Sequence, residues 1–258
     1  MSASIGIRRL IVAGAVLLCG AHASAILAKD IYDDAVAHAG RPADDLKRDP
    51  VDHAAQVLRL SGIRAGMHVA DFFAADGYYS ELLSYLVGPK GHVLLLNNAG
   101  YDKFVKNAWK ERIEKDHLGN VEHRTIDPEH MGLTDNSLDA VLMIKVYHDL
   151  YWVDPANGWN KIDAGAVLDQ LHKALKPGGV ILLVDHSAKA GTGSADAGTL
   201  HRIDEAYMRN DFGKHGFEVV KSSDLLRRPD DKRDQVSYKP PIVGQTDRFV
   251  YVLRKSGA

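Results

Sequence analysis

The chain has 258 residues, 45% of them apolar and 26% charged, with a formal net charge of -2. This is an ordinary globular composition, enough for one core and one domain. The near-neutral balance makes no electrostatic case for nucleic acid or an anionic membrane surface as partner.

The N-terminus reads as a secretory leader. Arg8 and Arg9 form a basic region, residues 10–21 are apolar but too short for a comfortable membrane span, and Ala23-Ser24-Ala25 offers a small-residue cleavage site. Cleavage after Ala25, or after Ala28, would send the protein to the periplasm or outside the cell, with no membrane attachment left. Cys19 is the only cysteine and lies inside this leader. The mature chain then has no disulfide, thiol nucleophile or cysteine metal site. The expected organisation is a leader over 1–25, a helical extension over 26–50 and one domain over 51–258.

In chain order, residues 29–40 mix polar and apolar positions as a short helix does, and residues 42–50 read as a charged, proline-bounded link. Val51, Ala54, Ala55, Val57 and Leu58 recur at helical spacing, with Gly62 beyond the end. Residues 68–72 (HVADF) read as a strand buried on both faces, residues 73–77 as a tight turn, and a helix opens near Tyr78 and stops at Gly88-Pro89. HVLLL at 92–96 is a second buried strand, ending in Asn97-Asn98. Phe104, Val105, Ala108, Trp109 and Ile113 predict one amphipathic helix over 102–115. Strands follow at 121–126 and 140–144, then the segment KVYHDLYW at 145–152 and a polar insertion at 158–165. A helix over 166–175 runs into the turn LKPGG and a strand at 180–184 ending in Asp185-His186. Residues 188–198, rich in Gly, Ala and Ser, read as a flexible loop. A helix over 201–215, a strand over 216–220, a long polar loop over 227–246 and a strand over 248–253 complete the chain. Strands alternating with helices argue for an α/β domain.

Several of these segments carry a family resemblance. VADFFAADG resembles the first motif of the class I S-adenosylmethionine-dependent methyltransferases, with Asp71 at its acidic position and Gly77 at its last glycine. Phe73 and Ala75 stand where the first two glycines should be. A longer match runs through DPEHMGLTDNSLDAVLMI, from Asp127 to the fourth strand, and LKPGG is a recurring turn of that family. The resemblance implies a Rossmann-like fold with a seven-stranded, mostly parallel sheet, its last strand antiparallel, and helices on both faces. It implies S-adenosylmethionine as methyl donor and a small-molecule acceptor. Asp71, Phe73, Ala75 and Gly77 would then line the amino acid end of the donor, Asn97 its ribose, Asp127 its adenine, and Lys145 the junction with the acceptor. Asn97 replaces the usual acid, which weakens that contact: hydrogen bonds to charged groups contribute about 1.5–3 kcal/mol against about 1 for neutral ones.

His148 and Asp149 are the candidate catalytic pair, since histidine takes a proton near neutral pH. Tyr147, His186, His201 and Arg202 are candidate acceptor-binding residues. No tight His/Asp spacing marks a metal site, so none is expected. The absence of G-x-G-x-x-G disfavours a dehydrogenase, and the absence of G-x-S-x-G a hydrolase. Two readings stay open: an exported methyltransferase of unknown acceptor, and a catalytically silent relative that binds another small ligand in the same crevice. The oligomeric state is not legible.

Overall fold

The computed structural model describes residues 30–115 and 117–256, with Met1. Apart from Met1, the expected leader lies outside the described residues. Three helices open the described chain: α1 (Ile31–Val36), α2 (Ala43–Asp52) and α3 (Ala54–Ser61). They are followed by β1 (His68–Phe72), α4 (Tyr78–Val87), β2 (His92–Asn97), α5 (Ala99–Phe104), α6 (Ala108–Lys115) and β3 (Val121–Thr125). Then come β4 (Leu138–Ile144), α7 (Ala164–Ala174), β5 (Leu175–His186), α8 (Ala197–Leu200), α9 (Glu205–Lys214), β6 (Phe217–Ser223) and β7 (Arg248–Lys255).

The strands form one seven-stranded sheet in the order β3-β2-β1-β4-β5-β7-β6. β7 is antiparallel to both its neighbours, and the rest run parallel, as the resemblance implies. Alternate strand residues point to opposite faces. Ala70, Leu94, Val141 and Ile181 join Val167, Leu171 and Phe212 in one core, while Val69, Val93, Leu142 and Leu182 join Leu58, Leu83 and Tyr32 in the other. Burial on both faces explains why the central strands read as continuous apolar runs.

The structure corrects several helix assignments. The stretch expected as a link over 42–50 is helical: α2 includes Pro50, and acidic Asp44 and Asp45 sit in its first turn. Asp45, Asp49 and Asp52 face inward, each with a partner, while Asp44 and Lys47 stay exposed. Arg112 Nη1 donates to Asp45 at 2.5 Å, Arg41 and the Tyr78 hydroxyl donate to Asp49 at 2.7 and 2.6 Å, and Asp52 receives Arg48, Lys145 and Arg248. Charge patterning reads such a run as solvated, and only tertiary pairing makes it interior. The helix expected across 51–60 is broken at His53, which takes a left-handed φ of 48° between α2 and α3. The helix expected over 102–115 is two, because Lys106 and Asn107 adopt φ of 52° and 56°, and Phe104 points outward. The helix expected from residue 201 starts at Glu205, where the Asp204 side chain accepts from Ala206 N as N-cap. LKPGG continues as strand into β5, and the loop at 188–198 yields to α8 at Ala197.

Candidate functional site

The strands β1, β2, β4 and β5 end on one side of the sheet, the edge where α/β folds hold their ligands. Two cavities meet there. The smaller, about 190 Å³, is lined by Arg48, Asp71, residues 72–76, Tyr78, Tyr79 and Lys145. The larger, about 380 Å³, has aromatic walls from Tyr101, Phe104, Trp152, Trp159 and Tyr238, and a polar floor of His148, Asp149, His186 and His201. Tyr101 and Lys145 line both. A third cavity of about 240 Å³ lies beyond the end of β2, between Asn98 and Asp127.

The turn after β1 keeps a glycine-like backbone without the glycines. Phe73 and Ala75 hold φ of 53° and 55°, and Gly77 holds 87°. Ala75 therefore does not escape through negative φ, the conformation an alanine prefers at this position. Asn97 holds the turn in place: its Oδ1 accepts from Ala75 N and its Nδ2 donates to Ala75 O, each at 2.9 Å. The Phe73 ring turns away from the turn and stacks between Phe72 and Tyr101, at centroid distances of 4.1 and 4.9 Å. A side chain at Gly77 would be strained, because φ is 87° and a Cβ there would come within 2.9 Å of Leu95 Cδ1, which would have to shift.

Asp71 is buried beneath this turn and accepts from Ser80 Oγ at 2.7 Å. Burial pushes its pKa up to about 7, against the pull of the Ser80 hydrogen bond and Arg48. Lys145, at φ 63°, donates to Asp52 at 2.9 Å. Burial brings its pKa down to about 8, although Asp52 opposes this.

The floor of the larger cavity is a network of histidines and carboxylates. His148 N and Nδ1 both donate to Asp185, at 2.9 and 2.7 Å. His148 Nε2 and His201 Nδ1 approach Asp149 Oδ1 at 3.3 and 3.4 Å, while the Tyr101 hydroxyl donates to Asp149 Oδ2 at 2.5 Å. Burial lowers the His148 pKa, but the Asp149 and Asp185 charges outweigh it and raise the pKa to about 9. Burial and the nearby His148 hold His186 well below the usual histidine range. It pairs with Thr246 Oγ1 at 2.8 Å.

The sequence candidates thus divide by place. His148, Asp149, His186, His201 and Lys145 share the larger cavity, and Asp71, Phe73, Ala75 and Lys145 the smaller. Asp127 lies on the third cavity, bonded to Glu129 N and His130. Asn97 is fully buried, and its remaining Nδ2 hydrogen bond goes to Asp102. Arg202 is also fully buried behind the site, bonded to Asp231 at 2.7 Å and to the carbonyls of Ser187 and Gln235. Tyr147 and Tyr151 point away from the larger cavity and share Asp211, at 2.6 and 2.7 Å. Sequence reasoning missed Arg48, Asp52, Tyr101, Trp159 and Arg248. The spacing of Arg48 and Asp52 was available as an i,i+4 ion pair once residues 43–52 are read as helix.

The residues present fit a donor with an amino acid end. The turn presents a glycine-like backbone, and Arg48 and Asp71 face the smaller cavity with opposite charge types for a carboxylate and an ammonium. Asn97 is occupied by the turn and Asp102, and the third cavity offers Asp127 and Asn98, whose Oδ1 accepts from Tyr101 N, beside Glu129, Asn160 and Lys161.

Comparison with known proteins agrees with this geometry. A family profile described as a methyltransferase domain matches residues 63–227. The chain is 28% identical over 131 residues to the ubiquinone/menaquinone biosynthesis C-methyltransferase of Teredinibacter turnerae, covering 50% of this chain and 47% of that protein. To the enzyme of the same name from Pseudomonas fluorescens it is 31% identical over 131 residues, covering 50% and 46%. It spans about half the length of these curated relatives. The fold matches a SAM-dependent methyltransferase from Aquifex aeolicus with a TM-score of 0.60 and 20% identity, covering 83% of this chain and 98% of that one. The chain belongs to the class I S-adenosylmethionine-dependent methyltransferase family.

Proposed function

We infer that this protein is an exported methyltransferase whose acceptor is a small aromatic molecule bearing a hydroxyl group. One observation carries the reading: the cavity under the β1 turn and the larger aromatic cavity meet at Tyr101 and Lys145. Bound S-adenosylmethionine supplies a methyl group activated by its sulfonium. Arg48, Asp71 and the turn at 73–77 hold its amino acid end, and Asn98 and Asp127 its nucleoside end. Trp152, Trp159 and Tyr101 hold the acceptor ring, while His148 and Asp149 orient its hydroxyl. Methyl transfer needs the nucleophile aligned with the sulfonium, so positioning supplies most of the rate. The ubiquinone/menaquinone C-methyltransferase relatives support an aromatic acceptor. The basic, apolar and small-residue segments at 8–25 support export.

The experiment is a calorimetric titration of the chain from Ile26 onward with S-adenosylmethionine and S-adenosylhomocysteine, followed by radiolabelled transfer to a panel of phenols and quinols. Micromolar donor binding, lost in Asp127→Ala, together with turnover on a phenol or quinol, is the expected result. Donor binding without turnover on any aromatic would overturn the acceptor class. No donor binding up to millimolar by folded protein would favour the silent relative, a reading supported by Asn97 being bonded inward.

A further inference from the structure

We propose that His148 Nε2, Asp149 Oδ1 and His201 Nδ1 hold a divalent transition-metal ion of the zinc type at the floor of the larger cavity. The three donor atoms lie within 4.8 Å of one another. The two nitrogens stand 3.3 and 3.4 Å from the shared carboxylate oxygen. Those spacings are longer than ordinary N–H···O hydrogen bonds, which run about 2.7–3.2 Å. They suit two donors on one ion, which at bond lengths of about 2.1 Å lie roughly 3.0–3.4 Å apart.

The groups behind the donors are arranged as a metal site requires. His148 Nδ1 donates to Asp185 at 2.7 Å, which turns Nε2 toward the cavity and makes it the more basic nitrogen. Asp149 Oδ2 is taken by the Tyr101 hydroxyl at 2.5 Å, which leaves Oδ1 for an ion. The cations lining this cavity, Lys145 and Arg248, are both bonded to Asp52, which offsets part of their charge. Two imidazoles and one carboxylate favour a first-row transition ion over magnesium or calcium, which take oxygen ligands. Three protein ligands leave positions open, and these face the aromatic cavity.

This site deepens the acceptor reading and rests on it only for its role. There, the acceptor's hydroxyl oxygen becomes a ligand of the ion and its O–H bond breaks. The electron pair stays on oxygen, and the proton leaves to water. An ionised hydroxyl is the better nucleophile at oxygen and activates the ring carbon beside it.

The test is metal binding itself, measured without donor or acceptor so that it stands apart from methyl transfer. Untagged, chelator-stripped protein is titrated with zinc by calorimetry and with cobalt(II) by visible absorption. The expected result is one ion per chain at micromolar affinity or better, with a cobalt ligand-field spectrum. Asp149→Asn and His201→Gln should each weaken binding by at least about a hundredfold, with unchanged circular dichroism, while His38→Gln leaves it intact. No binding at saturating metal overturns the proposal. So does binding that survives both Asp149→Asn and His201→Gln, because exposed histidines would then be the ligands. If either variant unfolds, the cobalt spectrum of the parent decides: the absence of a ligand-field band with nitrogen and oxygen donors rejects the site.

Discussion

Asp52, the last residue of α2, and Lys145, which follows β4, meet at 2.9 Å where the cavity under the β1 turn joins the aromatic cavity. The same carboxylate receives Arg48 Nε at 2.8 Å and Arg248 Nη1 at 2.5 Å. One buried anion therefore ties the helix ahead of the sheet to β4 and to β7. The cations hold its pKa well below the usual carboxylate range despite burial. Asp52→Ala removes the partner of the buried Arg248 and Lys145. Breaking a buried pair from one side costs about 3–5 kcal/mol, and urea denaturation of the variant should show a loss of that order.

The turn after β1 stores strain that a glycine would release. Ala75 sits at φ 55°, and the left-handed region costs an L-residue roughly 1–2 kcal/mol. Ala75→Gly should therefore stabilise the protein by up to about 1 kcal/mol, after the entropy cost of glycine, with donor affinity unchanged or improved. Phe73→Gly should destabilise it instead, since it empties the ring's place between Phe72 and Tyr101. Thermal melts of both variants check the contrast in sign.

Asp71 gives the fold a pH dependence of definite direction. Its folded pKa, near 7, lies above the unfolded value of 3.8, so the folded state binds the extra proton between these limits. The stability this contributes is fully present below about pH 4 and is lost as pH rises through 7. The slope from this group approaches about 1.4 kcal/mol per pH unit within that window. Asp71→Asn cannot ionise, so its stability relative to the parent should improve from pH 4 to pH 7 and then level off. Guanidinium denaturation across this range is the measurement. A constant difference would mean that Asp71 stays ionised.

Arg48 should set donor affinity. It is the guanidinium on the smaller cavity, and it lies 3.9 Å over the Tyr78 ring. A hydrogen bond to a charged group contributes about 1.5–3 kcal/mol. Arg48→Ala should then raise the dissociation constant of S-adenosylhomocysteine by about tenfold or more, as read by calorimetry. A loss of turnover with unchanged donor affinity would place Arg48 elsewhere in the reaction.

Much of the sheet was legible before any coordinates. β1 occupies 68–72 as the apolar run predicts, and the match around Asp127 located the start of β4 to within two residues. Among the helices at the N-terminal side α2 was not legible, because its buried face is acidic, whereas α1 and α3 bury apolar residues at helical spacing. Hydropathy reads Asp45, Asp49 and Asp52 as solvent-facing, and only their partners at residues 41, 48, 78, 112, 145 and 248 make burial tolerable.

The amino-acid sequence by itself determined the alternation of strands and helices, the family and the edge of the sheet where a ligand belongs. These follow from local periodicity and from motifs whose residues are neighbours in the chain. Tertiary structure alone decided which polar residues act together. Tyr101 reaches Asp149 across 48 positions, His201 joins His148 and Asp149 from the far side of β5, and Arg202, its immediate neighbour, turns inward to Asp231. Adjacent residues part because His201 takes a left-handed turn, and distant ones meet because parallel strands end at a common edge.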